Sequence, residues 1–274
     1  MADIYTYLSQ QDLGAVWGFS LSFNSVGTRA YFISQEAPTP NKVREISLST
    51  PWDISTAVLS GDTLSPTTYL QSCFLAPDDS NIYICDAQNA GFFNVRQYSL
   101  SGGLATAVYV QARNFTDIGG GTSWIFSGAF NQNGLKLMLT FKSASGGLVL
   151  VTYFLSAPFD ISTAVKQESR AFFSGAFQPS IFVSKTERRI YSTNRYTTNL
   201  VRIDLGEKWN LASVTSTDAT DMANDHLSGI FANEESERLY LLYEHNPSAI
   251  LEYAFVPLQT EFWTNFHSQT EIIS

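Results

Sequence analysis

Short apolar segments alternate with polar turns along this chain, and one arrangement of them recurs five times. Each copy ends a first strand on an apolar residue, passes through a turn rich in Gly, Asp, Asn or Ser, and enters a second strand that alternates toward Tyr or Met. The pattern predicts a β-hairpin in each copy. The five copies are FNSVGTRAY (23–31), FLAPDDSNIY (74–83), FNQNGLKLM (130–138), FVSKTERRIY (182–191) and FANEESERLY (231–240).

A third strand-like segment follows each hairpin, and its five copies start 50 to 55 residues apart. Repetition at this period indicates structural units that stack on copies of themselves, because a single unit cannot bury its own apolar faces. The copies are VREISL (43–48), VRQYSL (95–100), LVTYFL (150–155), LVRIDL (200–205) and ILEYAF (250–255).

A phrase of nine residues comes directly after the third segment and is written almost identically twice, as STPWDISTA and SAPFDISTA. Its prolines, Pro51 and Pro158, fix the turn. Asp53, Asp160 and Asn210 share one position, where we expect them to accept backbone N–H groups. We interpret this position as structural rather than catalytic. The copies lie at 49–58 and 156–165, with weaker ones at 101–108 and 206–214.

One complete unit therefore contains a strand, a tight turn, a strand, a loop, a strand, a turn and a fourth short strand. A four-stranded unit of this length is typical of a propeller blade, whereas β-helix coils are much shorter and helical repeats show a 3.6-residue apolar spacing. The sequence predicts an all-β protein, a single β-propeller over 1–274 with five four-stranded blades. The predicted blades are 17–68, 69–122, 123–172, 173–225 and 226–274.

The residues outside the five copies predict how the ring closes. A ring must join its last blade to its first, and 1–16 contains a degraded third strand and turn, DIYTYLSQQDLGAV. We expect this segment to donate the closing N-terminal strand to the final blade. The alternative is a partial sixth blade, completed by 3–16 and 256–274.

Composition and charge restrict the class of protein and partner. Hydrophobic residues make up 44% of the chain, enough for a folded core. The formal net charge is −9, so most of the surface repels nucleic acid. The N-terminus lacks the features of a signal peptide, and the longest apolar run, LVLVTYFL (148–155), is too short to span a bilayer. We expect synthesis in the cytoplasm and no membrane insertion.

The two strong copies, ISLSTPWDISTAV and YFLSAPFDISTAV, with the GTRAYF-type turn, resemble the Asp-Ile-Ser-Thr-Ala propeller repeats of bacteriophage structural proteins and some bacterial extracellular proteins. The resemblance covers most of the chain. It implies a propeller and favours a phage virion or tail-associated protein, made in the host cytoplasm and released by lysis. It implies no catalytic residue, because the matching positions are turn and core residues.

The common catalytic signatures are absent from the sequence, which has no G-x-S-x-G, H-E-x-x-H or C-x-x-C motif. A propeller glycosidase brings acidic groups from its inner strands to the axis. The inner strands predicted here, GFSLSF, LQSCF, IFSGAF, SIFV and LSGIF, contain no Asp or Glu. We therefore predict a non-enzymatic structural or adhesion protein. The alternatives are a propeller lectin of bacterial origin and a five-bladed glycoside hydrolase with acids in its loops.

The predicted binding surface is the face where the loops from strand two to three and from strand four to one gather, called the loop face below. We expect it to bind another virion protein or a host-surface glycan. Phe92 and Phe93 in AQNAGFFN, and Tyr196 in NRYTTN, are the aromatic candidates for stacking on a sugar or anchoring a partner. A core role is the alternative for each of them.

Three carboxylates, Asp218, Asp221 and Asp225, are spaced within the predicted loop TDATDMANDH (217–226). Hard oxygen ligands of this kind suit calcium. A solvated acidic loop is the alternative, because the segment lacks the residue order of a dedicated calcium loop. No other cofactor is expected.

Both cysteines, Cys73 and Cys85, lie in CFLAPDDSNIYIC, which reads as a hairpin turning at PDDS. They are expected on neighbouring strands. Two buried free thiols are one interpretation, and a cross-strand disulfide is the other.

Overall fold

A computed structural model provides the structure of the protein. It describes residues 4–13, 17–35, 41–66, 70–88, 92–115, 125–142, 148–173, 179–193, 199–222, 226–244 and 248–256. Within these stretches the regular elements are twenty strands and four short 3₁₀ turns of three residues each. No helix in the described stretches is long and apolar enough to cross a bilayer.

The strands form five antiparallel sheets of four strands each. The bounds of the strands, sheet by sheet, are as follows. Blade 1 contains β2 (Trp17–Phe23), β3 (Arg29–Gln35), β4 (Lys42–Leu48) and β5 (Ala57–Leu64). Blade 2 contains β6 (Leu70–Leu75), β7 (Asn81–Gln88), β8 (Phe92–Ser99) and β9 (Val108–Asn114). Blade 3 contains β10 (Ile125–Phe130), β11 (Lys136–Lys142), β12 (Leu148–Phe154) and β13 (Val165–Phe173). Blade 4 contains β14 (Ser180–Val183), β15 (Arg189–Thr193), β16 (Asn199–Leu205) and β17 (Val214–Asp221). Blade 5 contains β18 (Leu227–Asn233), β19 (Arg238–Tyr243), β20 (Ala249–Val256) and β1 (Ile4–Asp12).

The first strands of the five blades, β2, β6, β10, β14 and β18, contact one another in order around a common axis. This arrangement is a five-bladed β-propeller, as the repeat predicts. The described residues form no sixth sheet. The predicted blade boundaries enclose these sheets except at 172, where β13 continues one residue further.

The N-terminal strand closes the ring. β1 runs antiparallel to β20, from Ile4 opposite Val256 to Asp12 opposite Ala249. Beyond the strand, the backbone N–H of Leu13 donates to the Ser248 carbonyl at 2.8 Å. Blade 5 therefore takes three strands from the C-terminal part of the chain and its outermost strand from the N-terminus, which confirms the predicted closure.

The core is divided into five apolar clusters, one at each interface between neighbouring blades. At the interface of blades 5 and 1, Phe32 and Ile46 pack with Tyr240 and Leu242, and Leu13 belongs to the same cluster. Each sheet thus buries its flat faces against its two neighbours, which is why a single repeat cannot fold alone.

The repeated phrase forms a 3₁₀ turn between the third and fourth strands of a blade. The side chains of Asp53, Asp160 and Asn210 each accept the backbone N–H two residues later, at 3.0, 3.0 and 2.9 Å. These bonds satisfy donors that a helix start leaves unpaired. In blade 2, Gly103 holds the equivalent position at a φ of 88° and provides no side-chain cap. The expected acceptor role of Asp53, Asp160 and Asn210 is confirmed.

The phrase also attaches a blade to the preceding one. The Tyr240 hydroxyl of blade 5 donates to the Trp52 carbonyl of blade 1 at 2.7 Å, and the Tyr83 hydroxyl of blade 2 donates to the Phe159 carbonyl of blade 3 at 2.6 Å. Trp52 covers Gly27 of its own blade, where a Cβ atom would lie 2.2 Å from the indole. In blades 1 and 3 the phrase therefore joins a blade to the preceding one.

Replacing Tyr83 with Phe is expected to lower the free energy of unfolding by about 1–2 kcal/mol, because the Phe159 carbonyl loses its side-chain donor. Urea denaturation followed by circular dichroism measures the change. Tyr7→Phe is the matched control, because the Tyr7 side chain lies 52% exposed on β1. Equal effects of the two substitutions would contradict the docking role.

Stability is expected to fall at alkaline pH. Burial raises the pKa of Tyr31 to about 12 and those of Cys73 and Cys85 to about 12, and it also raises the pKa values of Tyr83 and Tyr240. The folded protein keeps these protons at a pH where the unfolded chain releases them. Stability is therefore complete below pH ~9 and decreases up to pH ~12, by at most about 1.4 kcal/mol per pH unit for each group.

Urea denaturation at pH 7, 9, 10 and 11 measures this decrease. Tyr83→Phe removes one titrating group, so its stability should decline less steeply between pH 10 and 11 than that of the wild type. A free energy of unfolding that stays constant up to pH 11 would refute the expectation.

Candidate functional site

Serine hydroxyls join the inner strands of neighbouring blades around the axis. Ser20 Oγ on β2 donates to the Cys73 carbonyl at 2.7 Å and accepts from the Cys73 N–H at 3.1 Å. Ser228 Oγ on β18 donates to the Gly18 carbonyl at 2.8 Å. These bonds satisfy backbone groups at strand edges. Further bonds of this type run from Leu75 N to Ser22 Oγ and from Ile181 N to Ser127 Oγ.

The inner strands approach one another so closely that two positions have no room for a side chain. A Cβ atom on Gly229 would lie 2.8 Å from the backbone nitrogen of Leu21 in blade 1. A Cβ atom on Gly128 would lie 2.6 Å from the ring of Phe74 in blade 2. The inner strands of neighbouring blades are therefore packed tightly against one another at these two positions.

The axis widens toward the face that carries the hairpin turns 24–28, 76–80, 131–135, 184–188 and 234–237, called the turn face below. Because strands alternate in direction, this face is opposite to the loop face. Each inner strand carries a phenylalanine near its end at the turn face. These residues are Phe23, Phe74, Phe130, Phe182 and Phe231.

Together they line a cavity on the axis, the axial pocket, with a volume of about 270 Å³. Every blade contributes to its wall. Phe182 and Phe231 are half-buried with ring centroids 5.3 Å apart, and the half-buried Trp52 stacks on Phe231 at 5.8 Å. The polar and charged side chains of the lining are Ser22, Ser25, Asp79, Ser127, Gln132, Lys185, Asn233 and Glu235.

Hydrogen bonds between the hairpin turns hold the mouth of the pocket. The Asp79 carboxylate of blade 2 accepts from Ser25 of blade 1, from its N–H at 2.9 Å and from its hydroxyl at 2.6 Å. The Glu187 carboxylate of blade 4 accepts from the Gln132 N–H of blade 3 at 3.2 Å. The mouth is thus built by contacts between blades rather than within them.

Lys185 links blades 4 and 5 at the same mouth. Its N–H donates to the Glu234 carboxylate at 2.8 Å, and its ammonium forms an ion pair with Glu235. The hydrogen bond from this ammonium lowers the pKa of Glu235, whereas burial raises the pKa of Glu234. Of the described lining residues, two carry carboxylates and one carries an ammonium group, so the fixed charge of the pocket is negative.

The axial pocket was not predicted from the sequence, which placed binding on the loop face instead. Its signal was nevertheless present, because phenylalanine is the first residue of all five hairpin segments. The five residues do not share one position, however. In the strand register, Phe23 and Phe130 lie one residue closer to the hairpin turn than the other three, so the two sets point to opposite faces of their strands. The hairpin pattern alone does not show which of these side chains border a space that is open to solvent.

The structure describes the predicted loop-face residues only in part. Phe92 and Phe93 begin β8, opposite Gln88 and Ala87, and only their backbone is described. Tyr196 lies outside the described residues. The binding role of these three aromatic residues stays a prediction.

The three candidate calcium ligands are not arranged as one described loop. Asp218 and Asp221 lie on β17, three residues apart, so their side chains point to opposite faces of the strand. The Asp218 carboxylate accepts from Arg202 Nη2 at 2.8 Å. Asp225 lies outside the described residues, and those that are described contain no cluster of three His, Cys, Asp or Glu suited to a metal. The expectation of a single loop is wrong for Asp218 and Asp221, and the calcium site stays a prediction.

The cysteines are free and buried. Cys73 lies opposite Ile84, and Cys85 lies opposite Ser72, so the register places the two thiols on opposite faces of blade 2. Cys73 packs toward blade 1 and Cys85 toward blade 3. The interpretation as two buried free thiols is confirmed, and the cross-strand disulfide is wrong, because the two cysteines lie one position out of register.

A glycoside hydrolase requires two carboxyl groups beside the scissile bond, and its general acid has a raised pKa. The five described inner strands contain no Asp or Glu. At the pocket mouth, Asp79 is held by Ser25, and Lys185 lowers the pKa of Glu235. That shift is opposite to the one a general acid needs. Burial raises the pKa of the neighbouring Glu234, but Glu234 is not among the described residues that line the pocket.

No protein-family model and no curated protein matches the chain. Among solved structures, it is similar to the β-propeller domain of Cps50 (Swd1) from Myceliophteria thermophila, with 9% identity and a TM-score of 0.45, over 92% of this chain and 99% of that one.

Two bacterial structures, each described as a "putative 6-phosphogluconolactonase", are also similar. The one from Bacteroides uniformis has 15% identity and a TM-score of 0.50, over 88% of this chain and 68% of its own. The one from Bacteroides fragilis has 12% identity and a TM-score of 0.49, over 85% and 65% respectively. At such identities the likeness concerns the propeller fold alone.

Proposed function

We propose that this chain is a non-enzymatic binding module, a structural or tail-associated adhesion protein of a bacteriophage particle. It binds a neighbouring virion protein or a host-surface glycan through the loop face. It is made in the host cytoplasm and works in the virion, without inserting into a membrane, and calcium is its one candidate cofactor.

The observation that carries this proposal is the repeated phrase. The segments 49–58 and 156–165 are nearly identical, and the phrase resembles the propeller repeats of phage structural proteins. Its residues cap turns and join neighbouring blades, so the phrase contributes to a rigid ring. A rigid scaffold that presents loops of different sequence suits recognition.

Charge supports a protein or glycan partner over a nucleic acid. The chain carries a formal charge of −9, which repels phosphate backbones over most of its surface. The absence of carboxylates from the inner strands supports binding without hydrolysis, because the axis then lacks a pair of acids on rigid strands.

The experiment combines two measurements. The purified chain is tested for saturable binding to host cells and to a glycan array, and phage particles that carry it are imaged with a labelled antibody. Saturable binding, together with label at a fixed place on the particle, supports adhesion. Label at a fixed place without cell binding supports a structural joint.

Particles without label would overturn the virion role. Release of reducing sugar from any glycan that binds would overturn the non-enzymatic assignment and favour the hydrolase. For adhesion, Phe92→Ala, Phe93→Ala and Tyr196→Ala are expected to weaken cell binding, and Val58→Ala on the outer strand of blade 1 is the control.

A further inference from the structure

The axial pocket lies on the face opposite to the proposed partner surface, and its size restricts what it can hold. Its volume is about 270 Å³. This is just below the usual range for pockets that hold drug-sized ligands. It suits one compact headgroup rather than an oligosaccharide.

The polar side chains of the pocket are largely engaged by the protein itself. The Ser22 and Ser127 hydroxyls accept backbone N–H groups of the next blade, and the Ser25 hydroxyl donates to Asp79. Asn233 Oδ1 accepts two N–H groups of its own turn. A ligand rich in hydroxyl groups would have to compete with these existing bonds for its hydrogen-bond partners.

The aromatic walls and the charged mouth remain for recognition. Trp52, Phe182 and Phe231 present half-buried rings, whose faces carry partial negative charge. Asp79 and Glu235 add two carboxylates, and Lys185 is held by Glu235. An anion is therefore repelled, whereas a cation with apolar substituents gains from both the rings and the carboxylates.

We infer that the axial pocket binds an alkylated ammonium group, such as a trimethylammonium headgroup. This group is compact and cationic, which matches the volume and the negative charge of the pocket. Its trimethylammonium part needs no hydrogen bonds, so it does not compete for the polar side chains that already bond within the protein. A choline headgroup and a trimethylated lysine side chain share this chemistry. The site is separate from the loop face, and its occupancy does not depend on the virion role.

The test compares two probes of nearly equal shape by isothermal titration calorimetry on the full chain. Choline carries the charge, and 3,3-dimethyl-1-butanol replaces its nitrogen with carbon. Choline is expected to bind roughly tenfold more tightly than the neutral probe, because a desolvated cation–π contact contributes a free energy of that size. Equal affinity for the two probes, or no binding of choline by the folded chain, would overturn the inference.

Two substitutions locate the site. Phe231→Leu keeps an apolar wall but removes a ring, and it is expected to weaken choline binding roughly tenfold. Glu235→Gln removes a carboxylate and leaves the Lys185 ammonium without its partner, so choline affinity falls while affinity for the neutral probe is unchanged. Asp62→Asn, on the outer strand β5, removes the same charge far from the axis and is expected to leave choline binding unaltered.

Wild-type affinity for choline in both pocket variants would place the binding elsewhere and overturn the assignment. A second titration with a trimethyl-lysine peptide and with phosphatidylcholine vesicles distinguishes the two sources of the headgroup. Failure of the cell and particle assays would leave this result unchanged, so the two proposals fail separately.

Discussion

A chain that lacks residues 1–13 is expected not to fold cooperatively at 25 °C. The deletion removes β1, which pairs with β20 along its length, and it removes Leu13 from the cluster between blades 5 and 1. It also leaves β20 as an edge strand with unpaired backbone groups, although β20 carries the buried residues Leu251 and Tyr253. Since domains of this kind are stable by only about 5–15 kcal/mol, loss of a whole strand and one interface contact removes most of that stability.

Thermal unfolding followed by circular dichroism, with size-exclusion chromatography, measures this effect. The truncated chain should show no sharp transition and should aggregate. Leu8→Ala is the control within β1, because Leu8 lies at the register irregularity and is 42% exposed, so its stability should stay within about 0.5 kcal/mol of wild type. A truncated chain that melts at the wild-type temperature would refute closure by β1.

Replacing Gly229 with Ala is expected to destabilise the protein by about 3 kcal/mol. The added methyl group would meet the backbone of Ser20 and Leu21 at 2.8 Å, and backbone atoms cannot rotate away as a side chain does. The blades 5 and 1 must then separate at the axis, which strains the bond from Ser228 to the Gly18 carbonyl.

Gly61→Ala is the matched control, because a Cβ atom at Gly61 meets nothing within 4 Å. Its expected effect is a gain of about 0.4–1 kcal/mol, since alanine restricts the unfolded chain. Urea denaturation of both variants gives the comparison. If Gly229→Ala lowers the free energy of unfolding by less than about 1 kcal/mol, the inner strands of blades 5 and 1 are packed less tightly than their close approach implies.

Most of the fold could be predicted because its determinants are local and are repeated. The turn after Phe23 and the cap at Asp53 recur at a constant spacing, so each copy supports the assignment of the others. The closing strand was also predictable, because a ring leaves one strand to be supplied from outside the repeat. The register of the cysteine hairpin was not predictable, since a shift of one residue moves Cys85 to the other face.

The axial pocket could not be predicted from local pattern. Its wall combines Trp52, Phe182 and Phe231 from three blades, and their contacts depend on how sheets are inclined around the axis. An apolar residue that ends a strand also looks the same in sequence whether it fills the core or lines a cavity. Residues 217–221 of the predicted acidic loop instead belong to β17. Their side chains alternate between a half-buried and an exposed face of this outer strand.

The central claim is that five blades, closed by the N-terminal strand, enclose an aromatic site for a cationic headgroup on the axis. A crystal structure of the full chain grown with choline tests it most directly. We expect five four-stranded blades with β1 on the last, and choline seated in the axial pocket against Phe182 and Phe231 at the turn face. A sixth blade, an unpaired β1 or choline bound only on the loop face would contradict it.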